Sequence, residues 1–146
     1  METQVAASSG ELVDALVQSA FATMAVLTRI AAEHDLSLTQ LRVLGILRDR
    51  QLRMTDLADH LGLEKSTMTG LIARAEKRGL VRRVPNRGDG RSVDVLLTPA
   101  GHELADRGGA RVAGELVPMT AGLSGAEQRR LAAALLRAVS RPTARR

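Results

Sequence analysis

The stretch LGLEKSTMTGLIARAEKRGLVRRVPNRGDGRSVDVLLTPAG, residues 61–101, changes rhythm halfway along its length. Met68, Leu71, Ile72 and Ala75 recur at spacings of three, one and three, which predicts the buried face of a helix over 65–78, closed by Gly79. Beyond Gly79 the period falls to two. Segments 80–84 and 92–98, the second with Val93, Val95 and Leu97 on one side, read as strands joined by the turn formers PNRGDGR, 85–91. Outside the helix stripe lie Lys65, Ser66, Thr67, Thr69, Gly70, Ala73, Arg74 and Lys77, a small, hydroxylic and basic surface. Short side chains would let such a helix approach a major groove about 12 Å wide, while Arg and Lys reach bases or phosphates. A hairpin after it is a wing, whose Arg87 and Arg91 suit the negative potential of a minor groove.

Upstream, Ser37 and Gln40 form a capping pattern for a helix carrying Leu41, Val43, Leu44, Ile46 and Leu47 that ends near Asp49. Thr55 is the predicted cap of a short helix through Leu57, Ala58 and Leu61, stopped by Gly62. Helix, Gly turn and second helix make the unit that presents a recognition helix to duplex DNA. From Glu11 to Glu33, Val13, Val17, Ala20, Met24, Leu27 and Ala31 alternate steps of four and three, and Leu12, Leu16, Val26 and Ile30 add a second stripe. One small domain rarely covers both faces, so the excess points to a partner chain.

Downstream, Thr98 caps a helix starting at Pro99. Gly108, Gly109 and Gly114 weaken it, which predicts a bend or break before Pro118. Ser124 and Glu127 form a capping box for a last helix carrying Leu131, Leu135, Leu136 and Val139. The expected fold is mainly α with a small β-hairpin wing. Residues 1–10 read as a flexible N-terminus and 140–146, SRPTARR, as a loose basic tail.

The 146 residues carry a formal charge of +5, and all of it sits in one block. Between Glu64 and Arg91 there are eight basic and three acidic residues, whereas the remaining 13 of each cancel. That is the electrostatic footprint expected for a polyanion. The single Phe, with no Tyr or Trp, leaves almost no platforms for stacking single-stranded bases, but readout of an intact duplex needs none. With no Cys there is no thiolate nucleophile, thiol sensor or Cys-based zinc site. No run of about 18 uninterrupted apolar residues and no signal-peptide start are visible, so a cytoplasmic protein with no membrane partner is expected.

Taken together, LTQLRVLGIL (38–47), MTDLADHLGLEKSTMTGLIARAEKRGLVRR (54–83) and DGRSVDVLLTPAG (89–101) resemble the MarR (multiple antibiotic resistance regulator) family of winged-helix transcription factors. Asp89, Arg91, Ser92, Leu97, Thr98 and Gly101 match the family's wing pattern in order. The resemblance covers about residues 11–139. It implies a winged helix-turn-helix lobe over 38–98 and a helical dimerisation region made of 11–35 and 99–139, in one unit spanning 11–139. It further implies a homodimeric repressor on an inverted-repeat operator, with half-site centres about 34 to 36 Å apart. Carried over by residue, Ser66, Thr67, Thr69 and Arg74 face bases and phosphates, Arg91 reaches the minor groove, and Asp89 braces Arg91 or a neighbouring Arg. Lys65, Lys77 and Arg87 join the DNA-binding set on the physical argument alone.

The resemblance also implies release by a small molecule held between the dimerisation helices and the lobe. With so few aromatics, that pocket would be lined by Leu, Val, Met and Ala, suiting a small apolar or phenolic effector. His34, His60 and His102 lack helical ligand spacing, so no metal is expected. No cofactor motif or catalytic constellation is present, and an enzyme is not expected. The alternative from another class is a winged-helix protein-interaction module that binds no DNA, for which the basic block would be incidental.

Overall fold

The computed structural model of the chain describes residues 2–140, with side chains from residue 9 onward; the tail expected at 140–146 lies, beyond Ser140, outside the described residues. Six helices and three short strands follow in the order α1 (Glu2–Glu33), α2 (Leu38–Leu47), β1 (Leu52–Arg53), α3 (Met54–Leu61), α4 (Lys65–Lys77), β2 (Val81–Pro85), β3 (Val93–Leu97), α5 (Pro99–Leu116) and α6 (Gly125–Val139), with a 3₁₀ turn at Val117–Thr120. The backbone of α1 is helical from Glu2, so it extends through the segment expected to be flexible. Two compact units divide between Val112 and Ala113.

In the first unit the core is built where the periodicities put it. Val43, Leu44, Ile46 and Leu47 from α2 meet Leu57 and Ala58 from α3, and Met68, Leu71, Ile72 and Ala75 from α4, all buried. Val81, Val95 and Leu97 cover this cluster from the sheet, whose order is β1-β3-β2 with antiparallel neighbours. The capping box at Ser37 forms in full, with Gln40 N–H donating to Ser37 Oγ (3.1 Å) and Ser37 N–H to Gln40 Oε1 (2.9 Å). Gly62 (φ 64) and Gly79 (φ 73) take the left-handed conformation that ends α3 and follows α4.

Two details differ from expectation. Thr55 does not cap α3: the N-cap is Arg53, without a side-chain bond, because 52–53 are extended and pair with Asp94 and Val95 of β3. The helix can begin only where that ladder ends. In β3, Val93 is exposed although it shares a face with Val95 and Leu97, whereas Asp94 on the other face is only 5% exposed. The expected break before Pro118 is present, since α5 ends at Leu116 and gives way to the 3₁₀ turn holding Pro118, although the helix runs through Gly108, Gly109 and Gly114 without interruption. Gly108 lies against Leu41, and Gly109 leaves room for the Arg48 guanidinium, which would stand 3.0 Å from an added Cβ.

Around the core, polar contacts fix how the elements of this unit meet. Arg78 at the end of α4 donates to the carbonyls of Asp35 (2.6 Å) and His34 (3.1 Å) in the α1–α2 turn. Arg111 of α5 pairs with Glu33 of α1 at 3.0 Å. Thr98 Oγ accepts from Gly101 N–H (3.0 Å) and donates to the Gly79 carbonyl, capping α5 as predicted. Gly101 has no alternative residue at its position: a Cβ there would lie 2.0 Å from the Leu80 carbonyl oxygen.

The second unit holds the end of α5, the 3₁₀ turn and α6. Ser124 and Glu127 close the expected capping box, with Ser124 N–H donating to Glu127 Oε2 at 2.8 Å. No residue of α6 is buried.

Candidate nucleic-acid interface

With its stripe committed to the core, α4 turns Lys65, Ser66, Thr67, Thr69, Arg74 and Lys77 to solvent. Thr69 directs its hydroxyl proton to the Lys65 carbonyl (2.9 Å), leaving its methyl and oxygen outward. Arg74 lies over Gly70, where an added Cβ would stand 3.5 Å from its guanidinium, so the missing side chain keeps that face low. Lys65, Thr69 and the wing residue Arg91 come together around one cleft of about 280 Å³; Ser66, Thr67, Arg74, Lys77 and Arg87 are not part of its lining.

The root of α4 is tied to the hairpin by Glu76 and Arg83. Arg83 donates to Glu76 Oε1 (2.9 Å) and Oε2 (3.3 Å), and its backbone N–H also reaches Oε2 (3.2 Å). The hydrogen bond from the Arg83 side chain holds the Glu76 carboxyl below its usual range, and the same contact makes Arg83 hold its proton more tightly. Both groups stand in water, so the effect is screened.

The wing owes its shape to local side-chain bonds. Asn86 Oδ1 accepts from the backbone N–H of Gly88 (2.9 Å) and Asp89 (3.0 Å), an Asx turn. Asp89 Oδ1 then accepts from the Arg91 backbone N–H (3.0 Å), and Oδ2 from the Ser92 hydroxyl (3.2 Å). Asp89 therefore braces the wing through Arg91's backbone, and the expected bond to a guanidinium is replaced. A carboxylate one residue before a glycine reaches the next amide with little strain, and the Arg87 and Arg91 side chains stay exposed.

Asp94 is the residue that sequence reasoning missed. Its oxygens take one amide proton each, from Gln51 Nε2 and Asn86 Nδ2, both at 2.9 Å, so a nearly buried carboxylate joins the α2–β1 connection to the wing root. Asn86 stood out as a turn former, but Gln51 and Asp94 are 43 residues apart and give no local signal.

A second concavity, of about 630 Å³, lies beneath α2 in the same unit. Leu27, Leu38, Leu41, Leu44, Leu61, Leu63, Ala105 and Val112 make it apolar, and Arg42, Arg48 and Asp49 supply its charge. Arg48 is paired with Asp106 at 3.0 Å. Methionine, expected among the lining, is absent from it, and the one aromatic, Phe21, is 70% exposed elsewhere on α1.

One helix among the described residues, over 9–33, is long and apolar enough by length and composition to cross a membrane, although it contains no run of about 18 uninterrupted apolar residues. The uninterrupted-run criterion missed it because Gln18, Ser19, Thr23 and Thr28 punctuate a stretch without charge from Ala15 to Thr28. Ser19 hides its hydroxyl against the Leu16 carbonyl (3.0 Å), as polar residues in apolar helices do.

Residues 34–92 match the model of the MarR family. Over 98 residues the chain is 31% identical to the HTH-type transcriptional regulator FarR of Neisseria gonorrhoeae, covering 66% of this chain and 67% of FarR. The chain belongs to the MarR family. Its fold is the winged helix-turn-helix, and its relatives are transcriptional regulators, not enzymes. It is also similar to the uncharacterized HTH-type regulator YfiV of Bacillus subtilis (strain 168), with 42% identity over 65 residues, 44% of this chain and 41% of YfiV. Among solved structures, NadR in complex with 4-hydroxyphenylacetate superposes with a TM-score of 0.75 and 28% identity, covering 86% of this chain and 89% of that one. The matched segments span 39% to 67% of the curated relatives' lengths. The family match stops at residue 92, so it takes in the recognition helix and wing turn but not α5 or α6.

Proposed function

We propose that this MarR-family chain binds double-stranded DNA as a homodimer at an inverted-repeat operator and represses transcription there. The observation that carries the reading is the block from Lys65 to Arg91, which turns its apolar residues into the core and its cations outward on one helix and one wing. In this reading Lys65, Ser66, Thr67, Thr69, Arg74 and Lys77 meet the major groove, and Arg87 and Arg91 the minor groove. Asp89 holds the wing turn in shape. The lobe over 38–98 does the binding, and 11–35 with 99–139 make the dimer. Supporting the dimer, Leu12, Val13, Leu16, Val17, Phe21 and Met24 of α1 and Leu131, Leu135, Leu136 and Val139 of α6 are all exposed. A second copy would remove that surface from water, each side chain contributing about 1.5–3 kcal/mol if fully covered.

The cavity beneath α2 suits a small apolar or phenolic effector, since pockets of about 300–1,000 Å³ hold molecules of that size. NadR binds 4-hydroxyphenylacetate, a phenolic carboxylate, and here Arg42 is the cavity's cation without a partner among the described residues. A carboxylate paired with Arg42 and an apolar body against the leucines would use both halves of the lining. Occupancy would release DNA by favouring a lobe geometry that no longer spans both half-sites.

Selection of bound oligonucleotides from a random pool, followed by fluorescence anisotropy on the selected duplex, tests the reading. An inverted repeat with two half-sites about one helical turn apart is expected, bound by one dimer. Enrichment of single-stranded sequences, or of none, would overturn it. Adding 4-hydroxyphenylacetate should lower the affinity of the wild-type chain and leave Arg42→Ala unaffected; an equal response of both would remove Arg42 from the effector site.

A further inference from the structure

The cleft of about 280 Å³ where Lys65, Thr69 and Arg91 meet has a fourth side that the recognition-helix and wing readings leave unassigned: Arg53 and Thr55, at the junction of β1 and α3. Arg53 sits at that position because 52–53 pair with β3, which aligns the strand beside the wing and ends it at the start of α3. Among the described residues no carboxylate lines the cleft. Arg83 is neutralised by Glu76, whereas among the described residues Arg53, Lys65 and Arg91 have no acidic partner at hydrogen-bond range. Three unpaired cations around so small a space repel one another and raise the local potential, a cost that a bound anion removes.

We infer that this cleft is a seat for one phosphodiester of the DNA backbone, gripped by Arg53, Lys65 and the Thr55 hydroxyl, with Arg91 closing its wing side. The inference rests on the proposed DNA binding and assigns a different task to these residues. A phosphate held between the start of α3, the first turn of α4 and the wing would fix the register of the lobe on the duplex without reading sequence. Lys65 would then position, and base discrimination would fall to Ser66, Thr67 and Arg74. The preference for a phosphodiester over a carboxylate ligand follows from the geometry of the donors. They line the cleft from three elements, matching the several directions of phosphate oxygens, and the Thr55 hydroxyl stands among them as a further donor.

The test is anisotropy of wild type, Arg53→Ala, Arg53→Gln and Arg53→Lys on the operator and on an unrelated duplex across a salt series, with thermal midpoints as a folding control. Arg53→Ala and Arg53→Gln should lose about tenfold on both duplexes by the same factor. Their log–log salt slope should become shallower by about one per bound lobe, with Arg53→Lys keeping the wild-type slope. Unchanged affinity and slope in the folded variants would overturn the seat, and a loss confined to the operator would make Arg53 a base reader instead. If wild type binds neither duplex, the DNA-binding reading itself fails. A final arm titrates inorganic phosphate against chloride at equal ionic strength. Phosphate should displace duplex from wild type more strongly than chloride does and lose that advantage in Arg53→Ala, whereas equal competition by the two anions in wild type would overturn the phosphodiester seat.

Discussion

Helices α4 and α6 begin alike, each a capped or turn-initiated amphipathic segment of 13 or 15 residues, yet they end in opposite states. Met68, Leu71, Ile72 and Ala75 of α4 are buried within the chain, and its cations are what remain outside. On α6 the corresponding stripe, Leu131, Leu135, Leu136 and Val139, is 41% to 76% exposed and no residue is buried. The same periodicity thus marks a finished core in one helix and an unfinished one in the other. Apolar spacing tells which face seeks burial; it does not tell which molecule supplies the cover.

The largest effect should come from the unfinished helix. Leu131→Asp with Leu135→Asp should convert the chain to a monomer in sedimentation and lower operator affinity by about 10²–10⁴-fold, the gain that linking two half-site contacts provides. A wild type that sediments as a monomer and binds equally well would break the comparison. Next, Ile72→Ala in the finished core should cost about 2–5 kcal/mol in denaturant unfolding, independent of protein concentration. Leu135→Ala should instead give a loss that depends on concentration, because its contacts lie across two chains. Arg91→Ala should leave stability alone and cost about 1–3 kcal/mol in operator binding if it makes a base contact; unchanged binding would remove it from the wing's reading set.

The smallest effect concerns Glu76. Its depressed carboxyl contributes stability that is present above its usual value near 4.5 and is lost as pH falls through the lower folded value. Arg83→Ala should therefore lower the thermal midpoint slightly at neutral pH, and its difference from wild type should fade as pH falls below the lower folded value. A change of similar size at pH 7 and pH 3 would show that Arg83 acts by packing.

Elements defined by local chemistry were legible in advance. Both capping boxes, the α4 stripe, the left-handed Gly62 and the turn-rich wing depend on residues within a few positions of one another, and each formed as read. What escaped was set by distant partners. β1 is two residues long, too short for any alternation, and exists because β3 pairs with it. That ladder moved the start of α3 from the predicted Thr55 cap and brought Arg53 beside the wing. Asp94 reads as a solvent-facing strand residue until Gln51 and Asn86 arrive to satisfy it. Of the residues assigned to DNA, the exposed positions on α4 were legible from the stripe alone. Their gathering with Arg53 was not, since it depends on how the hairpin folds back.

Gly101 carries a consequence of a mechanical kind. Because even a methyl group there would drive into the Leu80 carbonyl, the first turn of α5 is seated on the backbone of the β2 edge with nothing between them. A joint made of backbone against backbone has no side chain whose rotamer can change, and so offers no slack. Any force applied to the start of α5 reaches the strand beside the wing without being absorbed, as through a welded bracket rather than a hinge.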